Sequence, residues 1–220
     1  MDETTFDAEL IAAAFRLAAE RGWPAVSIAA AARAAALPLD MARARFPVKP
    51  MVLLRFGRMA DQAALADCPA EGPVRDRLFD LLMRRFDALQ AHRAGVLALL
   101  RTLPADPPTA LLLALATRRS MRWMLDAVDV GTRGLRGELR VRGLAAVWLW
   151  TVRAWQRDET VDLSTTMAAL DTALRRAESA AGWLGDGATR HTEDASAELG
   201  LQDESPAGAP EDPVPESPPA

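Results

Sequence analysis

An all-α protein is predicted by three features of the sequence. Apolar residues recur at spacings of three and four along most of the 220 residues. No stretch alternates β-branched or aromatic residues with polar ones, the pattern a half-buried strand needs. Half of the chain is hydrophobic, enough to bury one large core or two small ones, so disorder throughout is excluded.

Start and stop signals place the elements in order. Leu10, Ala13, Ala14, Leu17 and Ala18 share a helical face, with acids before them and Gly22 and Pro24 after, so a first helix spans about Phe6 to Arg21. Ser27 precedes IAAAARAAA, and its hydroxyl suits the cap of a short second helix ending near Ala35 or Ala36. Leu37 and Pro38 make the turn, Pro38 suits the first position of a third short helix, and Pro47 ends it. A fourth helix runs from about Pro50 to Ala66, followed by the loop CPAEGP. A fifth covers Val74 to Gln90 and is closed by His92, which reads as a capping or surface group. A helix at Ala94–Leu103 ends at PADPP, and Ala110–Val128 forms the next, before a loop marked by Gly131, Gly134 and Gly137. Two helices remain, Leu139–Gln156 and an Asp162-capped one reaching Trp183.

The net charge of −4 is unevenly spread. Residues 1–26 carry −3, 27–58 carry +5, 59–185 carry +2 and 186–220 carry −8. The last stretch holds nine acids, one arginine and six prolines, and cannot bury enough surface to offset the entropy of ordering, so a disordered acidic Pro-rich tail is expected. The acidic pI of about 5.3 therefore comes from the tail and does not argue against an anionic partner for the body. The basic segment 27–58 is where such a partner would dock.

Other chemistries find little support. One cysteine, Cys68, and two histidines, His92 and His191, cannot make a zinc cluster or a histidine-rich metal site, and no cofactor is expected. There is no Gly-rich phosphate loop and no nucleophile with a base at recognisable spacing, so the chain reads as a non-enzyme. No apolar run approaches the roughly 18 residues of a membrane span, and MDETTFDAEL is acidic where a signal peptide is basic. A cytoplasmic protein without stable membrane association is expected.

Two short helices joined by a tight turn, the second carrying Arg43 and Arg45, form the geometry that lets one helix enter a DNA major groove while the other braces it. The stretch AERGWPAVSIAAAARAAALPLDMARARFPVKPMVLLRF resembles the N-terminal domain of TetR-family transcriptional regulators, most specifically at Phe46, Pro47 and Lys49. The resemblance implies a TetR-like fold in three parts. These are a helix-turn-helix DNA-binding domain at 1–50, a helical ligand-binding and dimerisation domain at 51–185, and the tail at 186–220. It further implies that Ser27 caps the second helix and touches phosphate. Leu39 to Arg45, including Met41, Ala42 and Arg43, would face the groove, and Lys49 would meet the DNA backbone. The chain departs from the family pattern at Ala36, where the turn commonly has glycine. It departs again at Asp40, Arg43 and Arg45, where a small residue, tyrosine and histidine are usual. Arginine can stand in for aromatic phosphate contacts.

In the C-terminal half, Val141, Ala145, Trp148, Val152 and Trp155 form one stripe, and Leu163, Met167, Leu170 and Leu174 another. The TetR resemblance puts both helices in a four-helix homodimer interface. Phe86, Leu97, Met121, Trp123, Met124 and Trp150 are then candidates to line a pocket for an apolar small-molecule effector of unknown identity. The run LRVRGLAAVWLWTVRAWQRDETVDLSTTMAALDTALRRA is also similar to lipid-binding accessory proteins of ubiquinone biosynthesis, which share the TetR-like fold without binding DNA. Those proteins usually end in an amphipathic membrane-contact helix, whereas this chain ends in an acidic stretch that anionic lipid would repel. The expected function is a dimeric, ligand-responsive regulator, acting as a repressor on operator DNA.

Overall fold

The computed structural model describes residues 2–66, 68 and 71–180, and every regular element among them is helical. The last three residues of the helix expected to reach Trp183, and the whole tail at 186–220, lie outside the described residues.

The first helix, α1 (Glu3–Arg21), starts a turn earlier than its apolar face alone indicates. It buries Phe6, Leu10, Ile11, Ala14, Phe15 and Ala18. After a 3-10 turn at Trp23–Ala25 come α2 (Ile28–Ala34) and α3 (Leu39–Arg45), which pack on α1 and on each other respectively. Pro38 sits one position outside α3, as its N-cap, rather than at the first helical position.

The body comprises α4 (Pro50–Leu65), α5 (Val74–Gln90), α6 (Arg93–Thr102), α7 (Pro107–Ala127), α8 (Gly134–Arg157) and α9 over residues 164–180. Two boundaries differ from expectation. PADPP is no break: Asp106 accepts a hydrogen bond from the Thr109 amide, and Pro107 and Pro108 fill first-turn positions whose amides have no helical partner anyway, so α7 begins there. Gly134 and Gly137 lie inside α8, and at Gly137 a side chain would run into the Thr132 carbonyl group, so the glycine serves a close approach rather than a loop.

Residues 1–50 do not stand apart from the rest. Helix α1 packs along α6, where a side chain at Gly95 would collide with the Phe15 carbonyl, and α4 packs on α1, α5 and α7. His92 stacks on Phe15 with ring centroids 5.5 Å apart and meets the Phe56 ring at 5.6 Å, so it closes a head–body contact rather than facing solvent. The end of α8 is tied to α6 by Arg93, which donates to the carbonyls of Trp155 at 2.9 Å and Asp158 at 2.6 Å. Among the described residues, no single helix is long and apolar enough to cross a membrane.

Candidate nucleic-acid interface

The turn between α2 and α3 is built by local hydrogen bonds. Ser27 Oγ accepts from the Ala30 amide at 3.1 Å, satisfying one of the first-turn donors of α2. At the other end Ala36 N–H donates to Arg33 O and Leu37 N–H to Ala32 O, a Schellman closure that requires the left-handed region at Ala36. Its φ is +53°, so the alanine bears the strain that a glycine there avoids.

Helix α3 turns Ala42 inward, fully buried against the core, so Ala42 cannot face a groove. Leu39 and Met41 are 45% and 42% exposed, and Asp40, Arg43 and Ala44 lie on the same outward side. Ser27 is exposed at the start of α2.

The basic residues of the segment are less free than their count implies. Arg45 turns back across α1: its Nε donates to Asp7 Oδ1 at 2.7 Å, Nη2 to Asp7 Oδ2 at 3.1 Å, and Nη1 pairs with Glu3 at 2.9 Å. The groove-facing role expected of Arg45 is corrected by this geometry, since all three nitrogens of its guanidinium are engaged by α1. Arg55 pairs with the same Asp7, donates to Arg45 O at 3.0 Å, and lies 4.8 Å over the Phe46 ring. Burial alone would raise the Asp7 pKa, but hydrogen bonds from Arg45 and Arg55 outweigh it and hold the carboxyl below its ordinary range. Arg43 bends to donate to Pro47 O at 2.7 Å, a contact on the surface that leaves most of its fork open.

Lys49 is the N-cap of α4, and its ammonium folds under the head. It donates to Trp23 O at 2.5 Å and Pro24 O at 3.3 Å and sits 4.8 Å from the Trp23 ring centroid. Burial lowers its pKa, partly opposed by the charge of Asp106. To meet a phosphate Lys49 has to leave those carbonyls.

In the body, the stripes assigned to a dimer interface belong to the protomer's own core. Val141, Trp148, Val152 and Trp155 on α8 and Leu170 and Leu174 on α9 are buried, with Ala145 and Met167 partly so. The two tryptophans explain why: Trp148 stacks on Phe86 with centroids 4.5 Å apart, and Trp155 Nε1 donates to Gln90 Oε1 at 2.9 Å. Two pocket candidates are displaced the other way, Trp123 and Trp150 being 59% and 54% exposed. Phe86, Met121 and Met124 are fully buried and Leu97 is half-buried. Helical spacing identifies such stripes but not which side the neighbours cover.

One polar cluster of the body was not expected from the sequence. Asp61 on α4 pairs with Arg85 on α5 and accepts from Ser120 Oγ on α7 at 2.5 Å, while the Arg85 guanidinium lies 4.8 Å over Trp148. Burial pushes Asp61 up and Arg85 down, each opposed by the other's charge. Three elements 24 and 59 residues apart meet there, a separation that local spacing does not reveal.

No family model and no curated protein matches the chain. Solved structures do. A TetR transcriptional regulator from Nitrosomonas europaea superposes with a TM-score of 0.65 at 22% identity, over 79% of this chain and 98% of that one. A TetR-family regulator from Streptomyces coelicolor gives 0.57 at 22% identity, over 89% and 100%. A TetR regulator from Rhodococcus sp. RHA1 gives 0.53 at 17%, over 80% and 97%. With its capped α2, the closed turn at Ala36 and an outward α3 set on a helical body, the chain has the fold of the TetR-family transcriptional regulators.

Proposed function

We propose that this protein is a ligand-responsive transcriptional regulator, acting as a repressor, that binds double-stranded operator DNA as a homodimer. The observation that carries the reading is the outward side of α3. Leu39, Met41 and Arg43 stand exposed there, on a helix of seven residues whose opposite side is anchored by Ala42 and Arg45. A helix that is exposed on one side and braced by a preceding capped helix suits the major groove, with Ser27 against phosphate and Arg43 toward a base edge or backbone. Lys49 contributes once it swings from the Trp23 carbonyl. Ala42 and Arg45 hold the helix in place instead of touching DNA.

Dimerisation is supported by the face of α8 that the body leaves uncovered, where Leu135, Leu139, Leu149 and Trp150 are exposed. A twofold pair of α3 helices then meets successive grooves about 34–36 Å apart. An effector acts by binding one separation of the two heads more tightly than the other.

The test is selection of binding sites from a random-sequence duplex pool, read by fluorescence anisotropy. A palindromic site should be enriched. Arg43→Ala should lose about 1–3 kcal/mol at one position if it reads a base, or weaken all sequences alike if it meets phosphate. Failure to bind any duplex at low salt would overturn the reading.

A further inference from the structure

A cavity of about 350 Å³ lies between the head and the body. Trp23 and Lys49 line it from the head side, Leu53 from the start of α4, and Arg101, Asp106 and Thr109 from the end of α6 and the start of α7. We propose that this cavity binds a small carboxylate carrying an apolar body, held between Lys49 and Arg101.

The charge balance of the walls points to an anion. The half-buried Lys49 ammonium spends hydrogen bonds on two backbone carbonyls, and no carboxylate among the described residues lies within ion-pair distance of it. Arg101 is exposed at the end of α6, also without an ion pair among the described residues. The one acid in the wall, Asp106, is committed to capping α7 through the Thr109 amide at 3.2 Å. Two cations face this single carboxylate, whose charge also acts on Lys49, which leaves the cavity one positive charge in excess. A monoanion matches that excess, and charge-assisted hydrogen bonds from ammonium and guanidinium are the strong kind.

Size and lining select the rest of the molecule. The volume is near the lower end of small-ligand pockets, about 300–1,000 Å³, and too small for a nucleotide with its sugar and bases spread out. Leu53 and the flanking prolines offer apolar walls that a bare oxyanion would leave uncovered. An aryl or short-chain acid uses both parts.

Occupation of this site has a consequence for DNA that rests on the proposed function. Lys49 cannot hold a carboxylate in the cavity and a phosphate outside it at once. The acid therefore lowers DNA affinity by competing for one cation.

Calorimetry on the full chain with 2-naphthoate, neutral 2-naphthamide and inorganic phosphate tests the site. The expected result is saturable naphthoate binding, about tenfold weaker for naphthamide and for Arg101→Gln, and weaker again for phosphate. Ala105→Trp, a surface change that fills the cavity without altering charge, should abolish it. The proposal fails if naphthoate does not saturate by roughly 5 mM, the upper end of weak specific binding, if amide or phosphate equals it, or if neither substitution weakens it. Anisotropy with a labelled random-sequence duplex tests the coupling: naphthoate should weaken DNA binding several-fold in the native chain and not in Arg101→Gln. Naphthoate binding with DNA affinity unmoved overturns the competition. A chain that binds no duplex even without naphthoate overturns the regulator reading, while calorimetry still decides the site.

Discussion

Asp7 Oδ1 and Arg45 Nε lie 2.7 Å apart, joining the first helix to the end of the third across 38 residues of sequence. The pair converts part of the basic charge of residues 27–58 from a docking charge into a brace. Glu3 and Arg55 complete it, so the acids of α1 neutralise cations that a count along the chain assigns to the surface.

Asp7→Asn should lower stability by about 2 kcal/mol, between the small worth of an exposed pair and the 3–5 kcal/mol of a fully buried one. Urea denaturation followed by circular dichroism measures it. The acid limb follows in sign: a carboxyl held low when folded contributes stability above its unfolded pKa, about 3.9 for Asp, and loses it as pH falls through the folded value. Asp158 adds to the same limb. Burial opposes its ionisation, but the hydroxyls of Thr160 and Thr166 and the Thr166 amide hold it at about 2. Asp7→Asn should therefore flatten the pH 2–4 loss only in part.

Ala36→Gly should stabilise the protein by about 0.5–1 kcal/mol. It relieves a left-handed alanine costing roughly 1–2 kcal/mol, offset by the greater freedom of glycine in the unfolded chain. The melting temperature should rise by about 2–4 °C per kcal/mol for a chain of this size. Ala36→Val should move it the other way, because a β-branched residue tolerates positive φ still less.

His92 is neutralised by burial between Phe15 and Phe56, its pKa lying below the ordinary 6.5. A depressed histidine means the unfolded chain binds the proton first, so stability is full above pH 6.5 and declines as pH falls toward the folded value. His92→Phe keeps the ring contacts and should remove the slope that His92 contributes below pH 6.5. Denaturation midpoints across that range decide it.

If the chain forms the proposed homodimer, Trp150→Glu should dissociate it while leaving helical content intact, as read by sedimentation and circular dichroism. Leu170→Asp should instead unfold the protomer, since it places a carboxylate in a fully buried position. A dimer that survives Trp150→Glu would move the interface off this face of α8.

Much of the fold was legible because its signals are local. The limits of α5 match the expected Val74–Gln90, and Ser27 caps α2 as its position before an alanine run implies. The errors arose where a distant partner decides. Pro107 and Pro108 look like a break until Asp106 supplies the cap, and Gly137 looks like a loop residue until Thr132 is seen against it. Along α8 the period is clear in the sequence, yet Val141, Trp148 and Trp155 point to Phe86 and Gln90 inside the protomer, and Trp150 to the outside. At the candidate interface, Arg43 could be placed on the exposed side from its position on α3. Arg45 could not, because its position gives no sign of Asp7.

The close approach of Gly95 to the Phe15 carbonyl sets the local spacing of α1 and α6. Backbone meets backbone at that point, so no side chain there can change rotamer and absorb a displacement. A swing of the head should therefore carry α6 with it. In the proposed regulator, a ligand that displaces α6 should in turn shift the head, and α3 with it, without touching α3.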